Sequence, residues 1–442
     1  MNNTTDCFPQ EKLFATFVYM LLKGRLYIFL GIILLIAGCY SYNNSVLRKD
    51  VAFLYKPSSS KLHPNYSVYH TKDTITRLYF SVPLKELLFT KQIDADVPSS
   101  KFELTYKLYD YDQNNHISDS GSTVFHIIKP KKGTHAMNYI EVNASKGKKY
   151  IVELKARDVV KNSRNTNYIF IDKTSNYNNQ NFLISNTNDI PYFRNYFDSS
   201  EIIKIKYRDE NITKLFISYF DERFPLAPPP FSIKPVKPNN ILPDSSWQSR
   251  YNGYIEIRLP KPGIYHIQKD TNSNKGLTLL YFREHYPEFL TPIELLEPLQ
   301  FLTQKKEYRD YKMYSEKKLA VDNFWLGCSG NTNRARELIK VYYSRAKYAN
   351  LYFSSHKEGW KTDRGMIYMI FGPPNTIYKS KNSEQWIYGD NVSISSMTFV
   401  FNQMDNPFSD NNYILTRNEG YATIWHQAVE AWRDGRVFSI SQ

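Results

Sequence analysis

The spacing of apolar residues changes character along this chain at HYPEFLTPIELLEPLQ (285–300). Before it, apolar and polar residues alternate at the strand period of two. After it, they first recur at the three-and-four spacing of helices, with strands expected again at MIYMIF and near EQWIYG and SMTFVFN. Such a chain cannot close into one uniform fold, and its 442 residues exceed the ~100–200 of a single domain. The expected fold class is multidomain and mainly β: two antiparallel β-sandwich (Ig-like) domains followed by a C-terminal α+β domain.

The first β region is read over 65–175. Its strands are TRLYFSVP, KFELTYKLYDY, STVFHII, MNYIEVN, KKYIVELKARD and TNYIFID, parted by the turn clusters DQNNHISDSG, KPKKGTH and NASKGK. A second sandwich-like region, 185–288, contains EIIKIKYR, TKLFISYF, GYIEIRL, GIYHIQ and LTLLYF. FPLAPPPFSIKPVKP interrupts it. Proline cannot donate to a ladder, so this segment reads as an extended crossover rather than a central strand.

Over 290–442, helices are expected at 304–326 and 333–353, with Gly327 and Gly330 ending the first. In the second, Ala335, Leu338, Ile339, Tyr342, Ala346, Ala349 and Phe353 form one apolar stripe. A last helix is expected over about 419–434, with Gly435 as its stop.

Lys23 and Arg25 precede a 13-residue apolar run, Leu26–Gly38, that is too short for the ~20 residues of a membrane span but suits a signal-peptide core. The ending IAGC resembles a bacterial lipobox. That resemblance implies a leader over 1–38, with Met20 a candidate true start, and lipidation of Cys39. Residues 39–64 then read as a lipidated tether. Of the three cysteines, only Cys328 would remain as a thiol, which suits export to an oxidising compartment.

The net charge of +14 is spread along the chain with no basic block. It reads as a solvated surface, and no nucleic-acid partner is expected. DYDQNN (110–115) resembles the start of a calcium loop, but Asn115 and Gly121 stand where a loop of that kind needs Gly and Glu. No two histidines fall at i+3 or i+4, and no metal or cofactor is expected.

GWKTDRGMIYMIFGPPN (359–375) carries the densest set of candidate site residues. Read physically, Trp360 is an apolar anchor and Gly365 closes a turn at positive φ. Asp363 and Arg364 pair locally or cap a neighbouring element, MIYMIF is a strand, and Gly372, Pro373 and Pro374 end it. With no helix after the glycines, a phosphate cradle is disfavoured.

The stretch also resembles the signature of GWxTD-domain proteins, found chiefly in Bacteroidota and related bacteria. Gly359, Trp360, Thr362 and Asp363 match the name-giving positions. Arg345, Ala349, Asn350 and Phe353 match a preceding helix end, and Trp386 and Tyr388 a following strand. The resemblance implies an α+β domain behind β-rich modules and carries over no catalytic residue.

The expected function is that of a lipid-anchored envelope protein, a non-catalytic interaction or assembly component of an outer-membrane complex such as secretion or gliding machinery. Its partners would be the membrane, through the lipid, and other envelope proteins. The periplasmic face is favoured, since YSYNNS after Cys39 lacks an acidic export run. One alternative is a glycan- or peptidoglycan-binding lipoprotein, which needs a coplanar row of exposed Tyr or Trp. Another is a hydrolase with dispersed carboxylates, which needs Asp363 in a pocket. Burial of Asp363 against backbone amides would remove that version.

Overall fold

The computed structural model describes residues 49–57, 59–91, 97–112, 116–221, 224–233, 241–389 and 396–440. The expected leader 1–38, the expected lipidation site Cys39, and Asn114 and Asn115 of the calcium-like loop lie outside them.

The first β region contains β1 (Asn65–His70), β2 (Ile75–Pro83), β3 (Ser99–Asp110), β4 (Ile117–Ile128), β5 (His135–Asn143), β6 (Lys149–Asp158) and β7 (Arg164–Asp172). They form two antiparallel sheets of order β1-β2-β5 and β4-β3-β6-β7. Alternate residues of β3 (Phe102, Leu104, Tyr106 and Leu108) are buried and meet Leu78, Phe80 and Val82 of β2 in one shared cluster. Each such side chain withdrawn from water contributes ~1.5–3 kcal/mol. β1 was not anticipated, because NYSVYH is short and half polar. It forms by pairing with β2, from Asn65↔Ser81 to His70↔Thr76.

The second region contains β8 (Phe182–Ser185), β9 (Ile203–Tyr207), β10 (Lys214–Phe220), β11 (Ser245–Arg250), β12 (Ile255–Ile257), β13 (Gly263–Gln268) and β14 (Leu277–Tyr281). Its sheets run β11-β10-β13-β14 and β12-β9-β8 around a second cluster. β8 and β11 were also missed. SSWQSR has no apolar alternation because β11 is an exposed edge strand paired only with β10.

The C-terminal region combines α1 (Pro292–Leu296), α2 (Lys305–Met313), α3 (Lys317–Ser329), α4 (Thr332–Phe353), α5 (Asp363–Phe371) and α6 (Tyr421–Arg433) with one antiparallel sheet. The sheet runs β15 (Thr376–Lys379), β16 (Ser383–Tyr388), β17 (Met397–Gln403) and β18 (Tyr413–Leu415) in chain order. The helix expected at 304–326 is two helices. Extended backbone at Tyr314 and Glu316 folds α2 back, bringing Tyr311 edge-on to Phe324. Gly327 lies inside α3, and Gly330, at φ 68°, closes it. The stripe on α4 is buried as read, with Ile339 at its margin.

Two further sequence readings fail here. MIYMIF is helix α5, not a strand, and residues 49–57 are not a free tether. Val51 and Ala52 are buried in the C-terminal core. Val51 N–H donates to the Ile377 carbonyl at 3.0 Å, and Asp50 Oδ1 accepts from Ile377 N–H at 2.9 Å, covering the free edge of β15.

Candidate functional site

An apolar run of six does not discriminate strand from helix by period, and here the flanks decide. The Thr362 hydroxyl accepts from Gly365 N–H at 3.1 Å, an N-cap, and Asp363 follows at the first helical position. At the other end Gly372 adopts φ 84°. Arg345 Nη1 donates to the carbonyls of Met369 and Ile370 at 3.1 Å each, and Trp432 Nε1 donates to Ile370 at 3.0 Å. The last carbonyls of α5 thus meet a cation and an indole, which suits the negative end of a helix. Burial brings the Arg345 pKa down to about 10, still protonated at neutral pH. Every residue of α5 is buried, as expected of a helix apolar on all sides.

The motif glycines serve close approach. Gly365 is helical rather than at positive φ, correcting the turn expected there. A Cβ on it would sit 1.9 Å from the Gly359 carbonyl oxygen, and one on Gly359 would sit 2.0 Å from that of Ala349. Backbone therefore packs on backbone where α4, a one-turn 3-10 segment (Gly359–Lys361) and α5 meet. Asn350 ties this junction, accepting from Trp360 N–H at 3.1 Å and donating to the Pro287 carbonyl at 3.0 Å. Tyr388 Oη donates to the Gly372 carbonyl at 2.8 Å. Pro374 is buried and Pro373 exposed where the chain leaves α5 for β15.

Asp363 and Arg364 do not pair with each other. The Asp363 carboxylate accepts from Leu415 N–H at 2.8 Å and from both Arg417 terminal nitrogens, at 3.1 and 2.5 Å. Arg417 in turn donates to the Pro228 carbonyl at 3.1 Å. Ala227 N–H donates to the Lys361 carbonyl at 3.0 Å, and Phe231 packs beside His426. Residues 224–233 of the proline-rich crossover are therefore strapped along the C-terminal region, with Asp363 and Arg417 as their clasp.

Arg364 is 2% exposed and lies over the rings of Tyr413 and Phe353. It donates to Glu384 at 3.2 Å and to the Asn411 carbonyl at 3.0 Å. Glu384 is fully buried and also accepts from Lys379 at 3.1 Å, Trp386 Nε1 at 3.1 Å and the Tyr55 hydroxyl at 3.0 Å. Burial disfavours its charge, yet Lys379 and Arg364 outweigh burial and hold the carboxyl at about 2. Glu384 thereby joins α5 and β16 to the N-terminal segment. A third carboxylate, Glu358, accepts from Trp360 Nε1 and Arg283 Nε at 3.0 Å and from Lys361 at 2.7 Å. Arg283 follows β14, so this link reaches the second β region.

Sequence reasoning singled out Asp363, Arg364 and Trp386 and missed their partners. Glu384 carried a signal: residues 384, 386 and 388 share the inward face of β16, and an acidic residue there requires a cation. Arg417 and Tyr55 had no local signal, because their partners lie far along the chain; Glu358 meets Trp360 and Lys361 close by, but its link to Arg283 spans 75 residues.

A cavity of about 340 Å³ opens beside β14, lined by Arg194, Glu201, Arg283, His285 and Tyr286 among others. Arg194 is paired with Glu201 and Arg283 with Glu358, and Asp363 does not line it. Among the described residues, no three His, Cys, Asp or Glu side chains are grouped to hold a metal ion. Cys328 is half-buried, and burial pushes its thiol up to about 11.

No curated protein matches the chain. Residues 263–434 match the family model described as the GWxTD domain, a range that takes in the motif, Glu358, Glu384, Arg417 and, ahead of α1, strands β13 and β14.

Proposed function

We propose that the chain is a lipid-anchored envelope protein of Bacteroidota or related bacteria, attached through Cys39 to the periplasmic face of the outer membrane. It acts as a non-catalytic interaction component of an outer-membrane assembly, with secretion or gliding machinery as the host. Its two-sheet β regions, read as Ig-like sandwiches, offer exposed edges for partner strands. One observation carries the non-catalytic reading: the Asp363 carboxylate and the Arg364 guanidinium are committed to joining distant segments of the same chain. Asp363 is held by Arg417 and a backbone N–H, and Arg364 by Glu384 and Asn411. Burial of Asp363 against a backbone amide is the arrangement that argues against a hydrolase built on it.

The glycan alternative gains less support. Exposed Tyr139, Trp247 and Tyr378 lie on β5, β11 and β15, and exposed Tyr254 stands just ahead of β12, so the four belong to or adjoin four different sheets. The test is affinity capture of the protein from cross-linked envelopes, with Cys39→Ala as control. Specific envelope proteins recovered only with Cys39 support the proposal, whereas recovery equal to the control contradicts it.

A further inference from the structure

The docked segment ahead of β1 determines which part of the molecule the anchor holds. Asp50 and Val51 add to the edge of β15, as described above. Beyond them, the Tyr55 ring packs at 5.5, 5.0 and 5.6 Å from those of Tyr352, Phe353 and Trp386. Its hydroxyl donates to Glu384 and its carbonyl accepts from the Tyr368 hydroxyl at 2.9 Å. Lys56 Nζ reaches the Asn375 carbonyl at 3.3 Å. Buried apolar side chains, a ladder-type bond and a buried carboxylate thus fix residues 50–56 to the GWxTD domain before the chain enters β1.

We infer that the GWxTD domain, and not the first β region, is the module tethered at the membrane, with the face around Asp50 and β15 turned to the lipid headgroups. The inference rests on the proposed lipidation of Cys39. From Cys39 to Asp50 is eleven residues, which span at most ~40 Å whatever their conformation. A tether running free to Asn65 would instead reach ~90 Å, because from Cys39 that is 26 residues. The docked segment more than halves the reach and moves the attachment point across the molecule. Arg48 and Lys49, adjoining the docked segment, have the charge that suits anionic headgroups.

Two insertions separate this from a plain tether. The full lipidated chain, in a Cys328→Ser background, carries a donor dye at Leu351→Cys, an exposed site next to Tyr352. It is reconstituted in phosphatidylethanolamine–phosphatidylglycerol vesicles containing an acceptor-labelled lipid. A Gly-Ser insert of about twelve residues between Arg48 and Lys49 lengthens the leash and is expected to lower energy transfer about twofold or more. The same insert after Pro57, beyond the docked segment, is expected to leave transfer unchanged. Equal loss from both inserts, or loss from the second alone, overturns the inference while leaving the anchor in place. Flotation of the Cys39 protein no better than that of Cys39→Ala removes the anchor itself, and the inference with it. Neither insert alters a buried residue, and an unchanged melting transition confirms folding.

Discussion

Replacing Glu384 by glutamine keeps the shape of the side chain and removes only its charge. The native carboxylate is fully buried at about 2, against an ordinary glutamate value near 4.5. That difference corresponds to ~3 kcal/mol at neutral pH. A second route gives a similar size: removing one partner of a buried ion pair costs ~3–5 kcal/mol because the remaining charge, here Arg364, is stranded. Solvent reaches Lys379, so its share is screened and ~3 kcal/mol is the better expectation.

The sign follows from linkage. A carboxyl whose folded pKa is depressed stabilises above its unfolded pKa, and that contribution is lost as pH falls through the folded one. The gap between wild type and Glu384→Gln is therefore full at pH 7, narrows below about pH 5 and nearly closes by about pH 2. His70, His266 and His356, which burial lowers to about 4, weaken both proteins alike between 6.5 and 4 and cancel in the difference. Urea unfolding followed by tryptophan fluorescence reads it, since Trp325, Trp360, Trp386, Trp425 and Trp432 all lie in the matched domain. A gap near zero at pH 7, or one that does not change with pH, refutes the reasoning.

Three further outcomes are expected. Gly365→Ala forces a methyl against the Gly359 carbonyl and is expected to destabilise by ~2 kcal/mol or more in thermal melts, whereas an alanine at exposed Gly327, with nothing within 4 Å, is neutral or mildly stabilising. Asp363→Asn strands the buried Arg417 and loosens its hold on Pro228. Limited proteolysis is then expected to cut between Phe224 and Ile233 faster than in wild type, and an unchanged rate argues against the clasp. In a Cys7→Ala, Cys39→Ala chain, Cys328 is expected to react with a thiol reagent at pH 7.5 ~100-fold more slowly than free cysteine, because its pKa near 11 leaves little thiolate.

The sequence made most of the β regions legible because their inward residues alternate, as in β3. Strands such as β1 and β11 were not legible, since neighbours rather than their own pattern hold them. α5 was misread for a related reason. A helix buried on all sides shows no polar face, so only the Thr362 cap and the Arg345 and Gly372 closure distinguish it from a strand. The motif residues could be found from sequence, but not what they hold. Asp363 meets Arg417 across 54 residues and Glu384 meets Tyr55 across 329, separations that local spacing cannot register.

The central claim is that the motif acts by binding distant segments into the GWxTD domain. Hydrogen exchange on the full chain, comparing wild type with Asp363→Asn and Glu384→Gln, tests it most directly. In wild type, the amides of Val51, Ala227 and α5 are expected to exchange slowly, since each donates within the chain. Asp363→Asn is expected to free Ala227 first and Glu384→Gln to free Val51 first, with β3 and β6 unaffected in both. Rapid exchange at Val51 and Ala227 in wild type, or the same pattern in both variants, contradicts the account.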